Sequence, residues 1–296
     1  NCIIMRILFN ALIFLYSIMA SSVVAQKNVL TDCNTIYLCI DSISYKQVFS
    51  NPFIRDTIFI CVEQTTNTLD NNYSGKYAIG KSATLEFFMP KPIDKAGNHL
   101  NDFGVEFKTR RIGSLDLLTK IAQKNRMLND TSLTQLNDQD TVLAWYKTLS
   151  LSPPKSNFEL CILEYQTEYL NYLGFDKDEI LNPMTYEYYN QKLSNGKKYP
   201  RQFSKIKSVT IQLHKNQMDQ LKAFCLLNQM KQKANTFYND EFAINYEIVD
   251  QLIISKINKI EIELIDVQAE RIIDVSNNLM FKISNKTCEI VFKNKY

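Results

Sequence analysis

Ser82-Ala83-Thr84-Leu85-Glu86-Phe87-Phe88-Met89 is an apolar, β-favouring run that holds one charged residue, Glu86. It is too short for an independent helix and reads as a buried strand. Pro90 and Pro92 end it, because proline cannot donate to a ladder. Side chains alternate along a strand, so Glu86 and Phe88 share one face and Leu85 and Phe87 take the other. A carboxylate in a buried strand is costly unless something pairs with it. If Leu85 and Phe87 point to a helical layer, Glu86 faces a hollow.

Working outward, Thr35 to Asp41 reads as a strand and Ser42 to Phe49 as a short helix with Ser42 as its cap. Thr57 to Thr66 and Lys76 to Ile79 are further strands around the polar turn Asp70 to Gly75. The order over residues 34–90 is therefore β-α-β-β-β. A second such module is predicted over 101–168. It opens with the strand Phe103 to Thr109 and the amphipathic helix Leu115 to Met127, followed by a polar linker, Asn129 to Gln139. The runs Thr141 to Leu151 and Phe158 to Tyr165 complete it. Residues 169–203, rich in tyrosine, asparagine and lysine, read as an irregular connection.

The last third contains an echo. Ser204-Lys205-Ile206 and Ser255-Lys256-Ile257 each open an alternating strand. A helix at Met218 to Met230 and strands at Phe242 to Val249 and Leu252 to Ile254 follow the first copy. A turn or short helix at Gln268 to Ile273 and strands at Leu279 to Ile283 and Cys288 to Phe292 follow the second. The predicted organisation is a signal peptide over 1–25, a first pair of modules over 26–168, the connection over 169–203, and a second, degenerate pair over 204–296. The fold class is α+β, with repeated βαβββ modules forming curved mixed sheets around a concave face.

Composition excludes several classes. The net charge is only +3, with Lys and Arg scattered, which argues against nucleic acid. Glycine is scarce and neither GxGxxG nor GxxxxGK[ST] occurs, so phosphate-binding loops are not expected. Met5-Arg6, the apolar run Ile7 to Met19, and Val23 and Ala25 before Gln26 form a signal-peptide pattern, with residues 1–4 an overhang. That run is shorter than the ~20 residues of a spanning helix, and no later segment is long and apolar enough. A secreted or periplasmic location without a transmembrane span in the mature chain is expected. Six cysteines remain after the signal, in irregular spacing and partly inside apolar strands. They read as small buried hydrophobes, and no CxxC is present to make a zinc site.

Repeated βαβββ modules resemble the vicinal-oxygen-chelate superfamily, which includes glyoxalases, extradiol dioxygenases and bleomycin-resistance proteins. The likeness is closest at Ala83-Thr84-Leu85-Glu86, where glyoxalases place a strand whose glutamate binds the metal. The chain is also similar to an uncharacterised secreted subgroup of that superfamily. The resemblance implies a divalent metal held by a first-strand His, Gln or Glu and a last-strand Glu. Here the first-strand position falls on Asn34 or Thr35, and the subgroup's Met-Glu-Tyr-His segment becomes Leu163-Glu164-Tyr165-Gln166. Neither Asn nor Thr is a strong ligand for a transition metal.

The candidate metal set is Glu86, Glu164 and Gln166, with Glu106 beside Val105 as a further oxygen donor. An ion pair of Glu86 with Arg55, Arg110 or Arg111 is the structural alternative. His99 and His214 read as solvated. The expected pocket residues are Asn34, Tyr37, Glu63, Glu86, Phe88 and Glu164. Tyr186, Tyr188, Tyr189 and Tyr199 either pack the connection or stack on a ligand. The expected role is an exported protein that binds a small molecule, or serves structurally, without catalysis. A metal-dependent lyase, isomerase or dioxygenase is the alternative.

Overall fold

A computed structural model of the chain describes residues 30–92, 97–138, 141–153, 156–194, 201–250 and 252–293. The expected signal segment lies outside the described residues. The first module runs β1 (Thr31–Cys39), α1 (Ser42–Gln47), a short π-helix at Ile54–Ile58, β2 (Ile60–Asn67), β3 (Asn72–Ile79) and β4 (Thr84–Phe88). The cap of α1 is Asp41, one residue before the expected Ser42. Its carboxylate accepts from the Ile43 and Ser44 amides, satisfying donors the first turn leaves free. β1 and β4 run parallel with Tyr37 opposite Glu86, while β3 is antiparallel to both β4 and β2.

The second module repeats this path with β5 (Phe103–Thr109), α2 (Ser114–Lys124), β6 (Asp130–Asp138), β7 (Thr141–Ser150) and β8 (Phe158–Tyr165). The expected linker is therefore largely strand β6. It is an edge strand paired only with β7 along its length, and polar residues suit such an edge. β5 and β8 are parallel, and β1 and β5 meet antiparallel. The result is one mixed eight-stranded sheet, β2-β3-β4-β1-β5-β8-β7-β6. It curls until its edges touch: Thr68 bridges Leu136, and the Leu69 amide donates to the Gln135 carbonyl at 3.1 Å.

The connection after β8 is ordered over its described residues up to 194. It forms α3 (Thr167–Tyr172), α4 (Lys177–Leu181) and α5 (Tyr186–Leu193). Tyr169, Tyr186 and Tyr189 build a small core with Leu170, Phe175, Ile180 and Met184, and Tyr189 stacks between Tyr165 and Phe175. Tyr188 is exposed, and Tyr199 lies outside the described residues. Asp176 and Glu179 form a reciprocal capping box on α4.

A third βαβββ path follows: β9 (Phe203–His214), α6 (Met218–Leu227), β10 (Lys231–Lys233), β11 (Thr236–Tyr238) and β12 (Ala243–Val249), with β9 and β12 parallel. β13 (Lys256–Asp274) lies antiparallel beside β9, so the two Ser-Lys-Ile strands are neighbours, as β1 and β5 are. β13 runs unbroken through the segment expected to turn at Gln268 and pairs with β14 (Leu279–Phe292) in a long hairpin. Leu252 to Ile254 is exposed and outside any strand. The second sheet has six strands, β10-β11-β12-β9-β13-β14.

Residues 31–296 form one compact unit. Its main core lies where the convex face of the first sheet meets the helices and the second sheet. Phe107 meets Phe224 and Phe242 edge-on at 5.0 and 5.6 Å, and Phe59 meets Phe203 and Phe281. Such aromatic contacts add to the burial of their area. All six described cysteines are free, and Cys39, Cys161, Cys225 and Cys288 are buried. Among the described residues no helix is long and apolar enough to cross a membrane.

Candidate functional site

The curled sheet leaves a hollow of about 310 Å³ on its concave face, at the lower end of the range for small-molecule pockets. Strand alternation decides what lines it. β4 contributes Glu86 and Phe88, β5 contributes Glu106, and β8 contributes Glu159, Leu163 and Tyr165. Leu85, Phe87, Val105, Phe107, Leu160 and Ile162 take the other face and are fully buried. Glu106 is thus a wall residue and Val105 a core residue.

The walls are aromatic. Phe88 meets Tyr37, Tyr73 and Tyr77 edge-on at 6.0–6.3 Å, and Trp145 and Tyr146 form the opposite side. Two glycines make this possible. A Cβ on Gly104 would lie 2.2 Å from the Tyr37 ring, and one on Gly75 would lie 2.7 Å from the Phe88 ring. Absence of the side chain lets each ring lie close over the sheet. Tyr186 of α5 also lines the hollow, with its hydroxyl 3.0 Å from Thr84 Oγ1.

Three carboxyls reach the hollow. Glu159 accepts from the Tyr37 hydroxyl at 2.5 Å. Among the described residues Glu86 and Glu106 take neither a hydrogen bond nor an ion pair. Burial pushes Glu86 up to about 7. Burial, and then the charges of Glu86 and Glu159, push Glu106 well above the usual carboxylate range. Tyr37 is raised by burial and by Glu159. Asn34 is 2% exposed; its Nδ2 donates to Thr35 Oγ1 while its Oδ1 has no partner among the described residues. At the helix-covered end of the face, Lys108 is buried. Its ammonium donates to the Met184 carbonyl and sits over the Tyr165 ring at 5.4 Å. Desolvation lowers it to about 8.

Of the expected pocket residues, Asn34, Tyr37, Glu86 and Phe88 line the hollow. Glu63 does not. It is opposite Lys76, which is opposite Phe87, so it shares the helix-side face and pairs with Lys76 at 3.0 Å. Glu164 does not either. With Ile162 it points to the convex side, where it accepts from Thr109 Oγ1 at 3.0 Å and from the Gly113 and Leu115 amides at 2.8 and 2.9 Å. It therefore anchors the start of α2, donors that would otherwise be unpaired. Gln166 donates its amide to the Glu164 carbonyl. None of the three arginines considered for Glu86 pairs with it; Arg110 holds Asp32 and Arg55 holds Asp56.

The metal implied by the sequence resemblance does not fit this residue set. Glu86 and Glu164 lie on opposite faces of the sheet. Among the described residues no group of three His, Cys, Asp or Glu side chains is placed to hold an ion. His99 contacts Asp102 and His214 contacts the Ile253 carbonyl. Sequence reasoning missed Glu159, Trp145 and Tyr146 as wall residues. Period-two alternation counted from Leu163 would have found Glu159 and excluded Glu164.

Residues 33–292 match the profile of a family of unknown function, DUF5829. The chain belongs to this family. No curated protein matches the chain. Among solved structures, the Mn(II)-bound glyoxalase from Novosphingobium aromaticivorans is 7% identical, with a TM-score of 0.42 over 86% of this chain and 78% of that one. The 2,3-dioxygenase LapB from Pseudomonas sp. KL28 is 9% identical, with a TM-score of 0.41 over 90% and 92%. A xylose isomerase-like TIM barrel/4-hydroxyphenylpyruvate dioxygenase fusion protein is 9% identical, with a TM-score of 0.39 over 76% of this chain. This chain spans 35% of the length of that fusion protein. These likenesses concern the path of the chain and say nothing of its activity or ligand.

Proposed function

We propose that this DUF5829 protein is an exported small-molecule-binding protein that uses the concave face of its eight-stranded sheet without catalysis. The observation that carries the reading is the hollow itself, walled by aromatic rings and holding two carboxyls and an amide oxygen without partners among the described residues. Apolar pockets with a few convergent polar groups are the usual form of a ligand site. Leaving such groups unpaired in a folded protein costs stability, and a ligand that pairs them returns it. Export rests on the signal-like sequence Met5 to Ala25.

The alternative, metal-dependent chemistry, loses its proposed ligand pair because Glu164 is engaged with α2. The test is a thermal-shift screen of the full chain against a metabolite library and a divalent-ion series, read beside the emission of Trp145. A ligand that binds only the native state raises the melting temperature. At least one organic compound is expected to raise it and to change the emission of the sole tryptophan. No organic hit would overturn the reading. Stoichiometric metal in the purified protein, lost in Glu86→Ala, would replace it with the metal-dependent one.

A further inference from the structure

Resting on that reading, we propose the class of ligand: the cavity takes a small organic cation, a protonated primary amine carried on a flat apolar body. Three independent features converge on it. Glu86 on β4 and Glu106 on β5 flank β1, line the hollow, and have no hydrogen-bonding or ionic partner among the described residues. Asn34, nine-tenths buried and more, offers an amide oxygen with no donor to meet it among the described residues. The rings of Tyr73, Phe88, Trp145 and Tyr146 supply faces to an apolar body and to a cation.

What the hollow lacks is positive charge; the buried Trp145 indole N–H is a donor without a partner among the described residues. Lys91 is the one lysine or arginine among its described lining residues, against three carboxyls, and Glu159 already takes the Tyr37 hydroxyl. An ammonium brings three N–H donors and one charge, which matches the acceptors Glu86, Glu106 and Asn34 Oδ1 that take no partner among the described residues. A carboxylate ligand would meet like charge. A neutral apolar ligand would seal Glu86 and Glu106 away from water without pairing them, which is costly. The same sheet already shows the chemistry in miniature, since the buried Lys108 ammonium rests on tyrosine rings.

The test compares three probes of one size on the unaltered full chain: phenethylammonium, 2-phenylethanol and 3-phenylpropionate. Quenching of Trp145 and melting temperature are the readouts. Phenethylammonium is expected to bind saturably, the alcohol at least about tenfold more weakly, and the acid not at all, a tenfold step being the worth of a single good charge contact. Glu86→Gln and Glu106→Gln are each expected to weaken the amine and leave the alcohol unchanged. The unaltered-chain comparison decides the matter even if a variant fails to fold. Failure of the amine to bind, or equal binding by the alcohol or acid, overturns the proposal. If the metabolite screen still gives neutral or anionic hits, the binding reading stands without it; if the screen is also empty, both fall.

Discussion

The two faces of the eight-stranded sheet treat charge in opposite ways. On the convex face, Glu164 is buried and accepts three hydrogen bonds at the start of α2. Lys76 is buried there too, and holds Glu63 while its ammonium rests over Tyr45 and Phe49. On the concave face Glu86 and Glu106 sit among aromatic rings with no partner among the described residues, and burial raises both. One face is settled within the protein, as a load-carrying core must be. The other keeps groups whose partner has to come from outside, which is the usual mark of a functional site.

The largest effect should come from the convex face. Phe107→Ala removes a fully buried ring that meets Phe224 and Phe242, and should cost about 3–5 kcal/mol in urea unfolding. A loss below about 1 kcal/mol would mean that the two sheets do not depend on this contact.

Next is the anchored carboxylate. Glu164→Ala leaves the Gly113 and Leu115 amides and the Thr109 hydroxyl without their acceptor. It should cost about 2–3 kcal/mol and raise hydrogen exchange at the start of α2. Unchanged exchange there would remove the capping role. The substitution should leave ligand binding in the hollow intact, because Glu164 does not reach it.

The concave carboxyl should show itself through pH. Burial raises Glu86 from its ordinary 4.5 to about 7 in the folded chain, so the folded state holds its proton where the unfolded chain has lost it. The resulting stability is fully present below about pH 4.5 and is lost as pH rises through about 7. Glu86→Gln should remove that loss, leaving the variant about 1–2 kcal/mol better placed at pH 8 than the parent, relative to pH 5, after discounting for partial exposure. A parent and variant with parallel pH–stability curves would show that Glu86 is not desolvated.

The smallest effect belongs to Glu63. Its carboxylate is exposed, while Lys76 keeps its aromatic neighbours without it. Glu63→Gln should change stability by less than about 1 kcal/mol. A larger change, measured in the same unfolding experiment, would place Glu63 in the settled network rather than at its rim.

Much of this was legible in the sequence, because it follows from short-range rules. The alternation of Leu85, Glu86, Phe87 and Phe88 separates a core face from a hollow face. The order of strands and helices over 34–90 and 101–168 specifies βαβββ paths, and the paired Ser-Lys-Ile strands mark neighbours in the second sheet. Chain-long arrangement decided the rest. Glu164 looked like a partner for Glu86, yet it lies one residue out of phase with the wall residue Leu163 and is claimed by amides from α2. Polar β6 read as a linker because an edge strand buries little and needs no apolar stripe. Tyr169, Tyr186 and Tyr189 read as part of an irregular connection, since their periodicity is broken across three short helices; only packing on one another makes them a core. Where a carboxylate points is local. Whether it finds a partner depends on segments tens of residues away, and that the tertiary structure alone could settle.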